Sequence, residues 1–249
     1  MARVLVIPDS HLKIHVIEQG LELADKLMCD KVVLLGDYFD DWYAMDSDYD
    51  DMYHYLKDLL RKSAGRIVPL IGNHELSYLG FKCSGYNKRV ESVVRACVEE
   101  DYRFCFAAAI DGVLYSHAGV TRSWVSNNRI IPDHVVKYHL GKKCSAEFLE
   151  NAIGKVEDLN VFAQVGEARG GHGTPSCLWA DLSELIADPF PKCVQVVGHT
   201  PVQQIEKFGN CWFTDVFSNG NDSDEYLYVK DGEPQIVHYN ELVLGETIL

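Results

Sequence analysis

KVVLLGDYFD, residues 31–40, sets the fold. Its first five residues after the lysine are apolar or glycine and rich in β-branched side chains, too short a run for a helix. They read as a buried strand that ends on Asp37. Two further segments repeat the design on either side. RVLVIP (3–8) is an apolar strand ending at Asp9, and RIVPLIG (66–72) is one ending at Asn73. Between them, HVIEQGLELADKLM (15–28) has apolar positions at helical spacing, and DMYHYLKDLLRKSAG (51–65) reads as a helix with a glycine stop. The order β-α-β-α-β predicts a parallel sheet with helical crossovers, an α/β architecture. The polar residues fall where such sheets place ligands, at the C-terminal ends of the strands.

Downstream, residues 88–101 read as a helix. RFCFAAAI (103–110) and VLYSHAG (113–119) flank Asp111-Gly112, a strong hairpin signal. From about 121 to 170 the chain is mostly helical and polar, with a turn at Gly141, and GEARGGHGTPS (166–176) is a glycine-rich loop. CVQVVGHT (193–200), CWFTDVFS (211–218) and EYLYVKDGEPQIVHY (225–239) read as strands, the last a hairpin around Asp231-Gly232. No internal repeat or low-complexity linker divides the chain. A single domain over 1–249 is expected, with a helical insertion at about 121–170.

The 249 residues are 47% hydrophobic and 24% charged, an ordinary globular composition. No run approaches the roughly 20 apolar residues that span a bilayer, and Pro8-Asp9 cuts short the N-terminal apolar run before it resembles an export signal. Cysteines at 29, 83, 97, 105, 144, 177, 193 and 211 form no CxxC pair. Buried thiols in a reducing cytoplasm are the expectation. The formal net charge of −14 argues against stable nucleic-acid binding and against a nuclease. It also means that any phosphate site here needs a local cationic centre, for which bound metal ions are the natural choice. Part of the acid is concentrated in DDWYAMDSDYDD (40–51), read as a loop.

Taken singly, each polar fragment has an ordinary structural use. Asp9-Ser10-His11 suits a helix cap, Gly36-Asp37 a turn, Asn73-His74-Glu75 a helix start, His117 a satisfied core histidine, and Gly198-His199-Thr200 a strand end. Their conjunction points to chemistry: five strands each end in an oxygen or imidazole donor, in an order that one sheet edge could gather. Such donors without thiolates suit Mn, Fe, Zn or Mg. Two ions about 3.5–4 Å apart would clamp the attacking and leaving oxygens of a displacement at phosphorus.

In this order D-x-H, GDYFD, GNHE, SHAG and GHT resemble the calcineurin-like metallophosphoesterases. The full GNHE, the Gly-His-Thr-Pro ending and LWAD (178–181) are similar to the branch of serine/threonine protein phosphatases and symmetrical dinucleoside tetraphosphate hydrolases. The resemblance implies two packed mixed β-sheets flanked by helices, and two divalent metal ions, Mn first, with Fe, Zn, Mg, Ni or Co as others. By position, Asp9 and His11 would hold the first ion, Asp37 would bridge, and Asn73, His117 and His199 would complete the second. The implied nucleophile is a bridging hydroxide. His74 matches the general acid and Asp40 the carboxylate that orients it.

Three positions depart from the family pattern. Asp41 stands where the protein phosphatases carry a phosphate-binding arginine, so Arg169 is expected to take over the phosphate, with Arg122 second and Arg129 third. Pro201 stands where many members have a further histidine, and Leu12 replaces a glycine. His172 in the glycine-rich loop reads as a surface imidazole. The expected substrate is a phosphoprotein or a small phosphoester or nucleotide, cleaved as a monoester in the manner of the serine/threonine phosphatases. A phosphodiesterase or dinucleoside polyphosphate hydrolase is the alternative within enzymes. A degenerate, non-catalytic binding protein on the same fold is the alternative outside them.

Overall fold

The computed structural model describes residues 1–83, 85–101, 103–131, 146–191, 193–220 and 223–245. The first sheet has strand order β10-β9-β1-β2-β3, with β1 (Arg3–Ile7), β2 (Lys31–Leu34), β3 (Ile67–Pro69), β9 (Glu225–Lys230) and β10 (Glu233–His238). Strands β1, β2 and β3 run parallel, and the β9–β10 hairpin adds antiparallel to β1. Pro69 is tolerated because β3 is the edge. The second sheet has order β4-β5-β6-β8-β7, from β4 (Ala107–Ile110), β5 (Val113–Ser116), β6 (Val194–Val197), β7 (Glu206–Phe208) and β8 (Cys211–Phe213). Its centre, β5-β6-β8, is again parallel. Both sheets are therefore mixed and flanked by helices.

One core joins the two sheets: Leu5, Val33, Tyr115, Val196 and Phe213 are all inaccessible members of it. Each aliphatic side chain so buried contributes about 1.5–3 kcal/mol. The helices α1 (Ile14–Lys26), α2 (Asp46–Lys62), α3 (Asn73–Tyr78) and α4 (Glu91–Glu99) follow the first-sheet strands. On α1 the buried positions Val16, Ile17, Gly20, Leu23 and Ala24 keep the period that announced it. A second cluster, with Trp124, Leu149, Phe162 and Leu114, packs α5 (Arg122–Asn127) and α6 (Ala146–Ile153) near β5.

Two expectations change. The acidic run at 40–51 is not wholly a loop, because α2 begins at Asp46. Asp46 and Asp48 lie in its first turn, where carboxylates meet the helix dipole favourably, and Asp48 accepts the Met45 N–H at 2.8 Å. The five strand ends come from two sheets rather than one edge. Residues 132–145 of the 121–170 region lie outside the described residues; its described part holds α5, α6 and two short 3-10 turns, Leu159–Val161 and Glu167–Arg169. The turn expected at Gly141, and Cys144, lie outside the described residues. Asp111 and Gly112, both at positive φ, close the β4–β5 hairpin as expected. Among the described residues no helix is long and apolar enough to cross a membrane.

Candidate metal centre

The parallel strands of both sheets deliver their C-terminal ends to one place. Asp9 follows β1, Asp37 follows β2 and Asn73 opens α3 after β3, while His117 follows β5 and His199 follows β6. All five are buried, His117 completely. Asp37 is the hub: its Oδ2 is 3.3 Å from His117 Nε2, 3.9 Å from His11 Nε2 and 4.0 Å from His74 Nε2. Its Oδ1 accepts the His74 N–H at 3.0 Å. Two donor groups share it, Asp9–His11–Asp37 and Asp37–His117–His199, each with its ligand atoms within 4.8 Å of one another. Asn73 Oδ1 joins the second, 2.8 Å from His117 Nε2 and 2.9 Å from His199 Nδ1.

The hydrogen bonds around these groups fit a pair of cations. His117 Nδ1 lies 3.0 Å from the Leu35 carbonyl and His11 Nδ1 lies 2.8 Å from that of Asp40. A carbonyl only accepts, so Nδ1 carries a proton in each ring and Nε2 turns inward, where it can ligate an ion once unprotonated. On the His117 side Nε2 faces Asn73 Oδ1, Asp37 Oδ2 and His199 Nδ1, the last at 3.1 Å. Groups that converge in this way need a proton or a metal ion among them. Asp9 Oδ1 and His199 Nε2 are buried with no hydrogen-bond partner.

The pKa directions carry the same demand. Burial, with the Asp215 charge adding to it, pushes Asp9 well above the usual carboxylate range. Burial would lower His117, yet Asp37 and Asp9 raise it to about 9. Burial opposes the charge on Asp37 too, but His117 and His74 hold it well below the ordinary value. Burial, with His117 and Arg169 nearby, keeps His199 neutral.

Glycines make this crowding possible. A Cβ on Gly198 would lie 1.9 Å from Asp9 Oδ1, and one on Gly72 would lie 2.1 Å from Asp37 Oδ1. Leu12 occupies the position of the replaced glycine with φ of 63°, so the backbone keeps the left-handed bend and a side chain bears its strain.

His74 and Asp40 come together beside the hub. His74 Nδ1 is 2.9 Å from Asp40 Oδ2. Although burial works against it, Asp37 and Asp40 raise His74 to about 9. Asp40 is itself held by the hydroxyls of Tyr49, at 2.9 Å, and Tyr78. Arg169 is also near: its Nε donates to Asp181 Oδ2 at 3.0 Å and its Nη2 to Thr200 Oγ1, next to His199, at 3.1 Å. Arg122 is not brought to the cluster. Its side chain is 59% exposed and pairs with Asp188 at 3.9 Å. Arg129 and His172 are exposed, and so is Asp41, whose Oδ1 accepts the N–H of Tyr43 in its own turn at 2.9 Å.

Two buried acids were not singled out from the sequence. Glu75 accepts four backbone N–H groups: Asp37 at 2.8 Å, Tyr38 at 2.9 Å, Phe39 at 3.3 Å and Gly72 at 2.9 Å. It thereby ties the turn after β2 to the turn after β3. The signal was the fourth letter of GNHE, a glutamate three residues after the helix-capping Gly72. Asp215, 1% exposed, follows β8 as the other donors follow their strands. Its Oδ1 accepts the Ser218 N–H at 3.2 Å, and burial raises its carboxyl. The strand CWFTDVFS held that signal.

The sequence profile of the calcineurin-like phosphoesterases matches residues 2–237. Among solved structures, a mutant cold-active protein tyrosine phosphatase is 18% identical, with a TM-score of 0.58 over 96% of this chain and 78% of its own. The cold-active protein-tyrosine phosphatase of a psychrophilic Shewanella species is 18% identical, with a TM-score of 0.53 over 96% of this chain and 81% of its own. At these identities the likeness is one of fold. No curated protein matches the sequence.

Proposed function

The chain belongs to the calcineurin-like phosphoesterase family, a family of dinuclear-metal-dependent phosphoesterases, and on that premise we propose that it hydrolyses phosphate monoesters in the manner of the serine/threonine protein phosphatases. One observation carries most of the weight: a single carboxylate, Asp37, is shared by two donor groups, with the His74–Asp40 pair beside it. We assign Asp9, His11 and Asp37 to one ion, and Asp37, Asn73, His117 and His199 to the other, with Mn as the first choice for both. When bound, the ions supply positive charge to the transferring phosphoryl group and lower the pKa of water. We take the whole chain as one phosphoesterase domain acting in the cytoplasm. The thiols of Cys29, Cys97, Cys105, Cys177 and Cys211, none in a disulfide, suit a reducing compartment.

The chain's own groups divide the remaining work. His74 Nδ1 is engaged by Asp40, so Nε2 faces the hub and can give its proton to the departing oxygen. Arg169 presents a guanidinium anchored by Asp181 and Thr200 beside His199, suited to a phosphate oxygen. Asp41 turns outward and leaves that place clear.

Replacing His74 by Asn is expected to lower kcat about 10²-fold while both metal equivalents stay bound. In Asp40→Asn the alkaline limb of the kcat profile should move to lower pH, because the imidazolium loses the carboxylate that raises it. Loss of metal from the His74 variant, measured by mass spectrometry, would refute the division of roles. Arg169→Ala should raise KM for p-nitrophenyl phosphate about tenfold with little change in kcat. Unchanged kinetics would remove Arg169 as the phosphate anchor.

The monoester assignment itself is tested by turnover of a phosphopeptide, p-nitrophenyl phosphate, its bis-ester and diadenosine tetraphosphate on the Mn-loaded protein. Monoesters are expected to lead. A faster bis-ester or dinucleotide would overturn that choice.

A further inference from the structure

A cavity of about 520 Å³ opens beside the candidate centre, lined by residues that include Phe81, Lys82, Cys83, Val165, Arg169 and Trp179. Ligand sites of this volume combine apolar and aromatic walls with a few polar groups that fix orientation. Here the polar end and the aromatic end are distinct. Arg169 is the link to the phosphate position, through its hydrogen bond to Thr200 beside His199. Trp179 also borders that end, its ring edge-on to His199 with centroids 5.9 Å apart. Phe81 lies on the segment that follows α3.

That segment connects the cavity to the proposed proton donor. Cys83 Sγ lies 3.9 Å from the Asn73 carbonyl, and a Cβ on Gly85 would lie 3.1 Å from His74 Cε1. Cys83 and Gly85 therefore lie against the start of α3 at Asn73 and His74, while Phe81, Lys82 and Cys83 line the cavity. A leaving group that takes its proton from His74 departs alongside this wall. A second cavity, about 260 Å³ around His11, is lined by Asp41, Asp48 and Asp51 against a single Lys13, and its net negative charge disfavours an anionic ester.

We propose that the larger cavity receives the leaving group and selects one whose aromatic ring lies close to the ester oxygen, a benzylic or phenolic phosphate. This deepens the monoester function proposed above and rests on it. Phe81 and Trp179 offer ring surface, where stacked or edge-on contacts favour an aromatic over an alkyl group of the same size. Phe81 is the specificity-determining residue, since it touches the cavity and has no part in the donor set.

The test compares benzyl phosphate, butyl phosphate and adenosine 5′-monophosphate on the Mn-loaded enzyme. Benzyl and butyl phosphate both release primary alkoxides, so a difference between them reports recognition more than intrinsic reactivity. Wild type is expected to favour benzyl over butyl phosphate about tenfold in kcat/KM. Phe81→Ala should erase most of that preference, lowering kcat/KM for benzyl phosphate several-fold more than for butyl phosphate, and Phe81→Tyr should restore it. Equal losses on both esters, or no wild-type preference, would overturn the proposal. So would an effect confined to the nucleotide, which would put the ring site at nucleobase distance.

Binding of benzylphosphonate against butylphosphonate, read by calorimetry, needs no turnover. Tighter benzylphosphonate binding, lost in Phe81→Ala, would sustain the cavity's selectivity even if no ester were hydrolysed, and the failure would then belong to the proposed activity. Hydrolysis of all esters with equal phosphonate affinities would sink the cavity proposal alone.

Discussion

Asp37→Asn is expected to lower kcat for p-nitrophenyl phosphate by about 10³-fold or more and to take the bound metal from two equivalents to one or fewer. The substitution keeps the shape of the side chain and removes its charge. Asp37 is the group shared by both donor sets, and its Oδ2 faces the Nε2 atoms of His117, His11 and His74. An amide there offers either a neutral oxygen or an NH₂ pointed into that ring of nitrogens. Neither balances two cations, and an NH₂ would oppose them. Backbone order should survive, because Oδ1 needs only to accept the His74 N–H and an amide oxygen can do so. Metal content and circular dichroism, taken with the rate, separate a lost centre from a lost fold. Two retained equivalents and an unchanged rate would show that Asp37 is not shared.

Glu75→Ala is expected to be the most destabilising single change near the site, by at least about 3 kcal/mol. The carboxylate is inaccessible and its two oxygens accept four N–H groups from two separate turns. Alanine leaves those donors buried without acceptors, and each such group costs about 1–3 kcal/mol before relaxation. For a chain of this size, about 2–4 °C of melting temperature is lost per kcal/mol, which gives a fall of about 6–12 °C. The comparison is made on chelated protein, so that weakened metal binding does not enter. Glu75→Gln should lose less, because one oxygen remains. A melting point within a degree of wild type for the alanine variant would refute the four-donor account.

Much of the first sheet was legible because its parallel strands, buried on both faces, are short apolar runs each punctuated by a polar residue. Those same end residues form the cluster, so fold and site were read from one pattern. Glu75 and Asp215 were harder to see. Glu75 acts on backbone amides, and a side chain that satisfies N–H groups leaves no spacing rule behind. Asp215 follows β8, a strand of three residues. Asp41 and Arg122 show the limit of position alone. Asp41 turns away because its own loop offers an N–H, and Arg122 pairs with Asp188, whose place depends on a segment far along the chain.

The donors also divide unequally between the two sheets. Asp9, His11, Asp37 and Asn73 come from the first sheet, while His117 and His199 come from the second. An ion held by Asp9, His11 and Asp37 would be a tenant of one sheet. An ion held by Asp37, Asn73, His117 and His199 would be a rivet through both, and a ligand bound only by the folded state stabilises that state by mass action. The two ions would then be unequal thermodynamic partners. Both would stabilise the folded chain when bound, and only the second would do so by joining the two sheets.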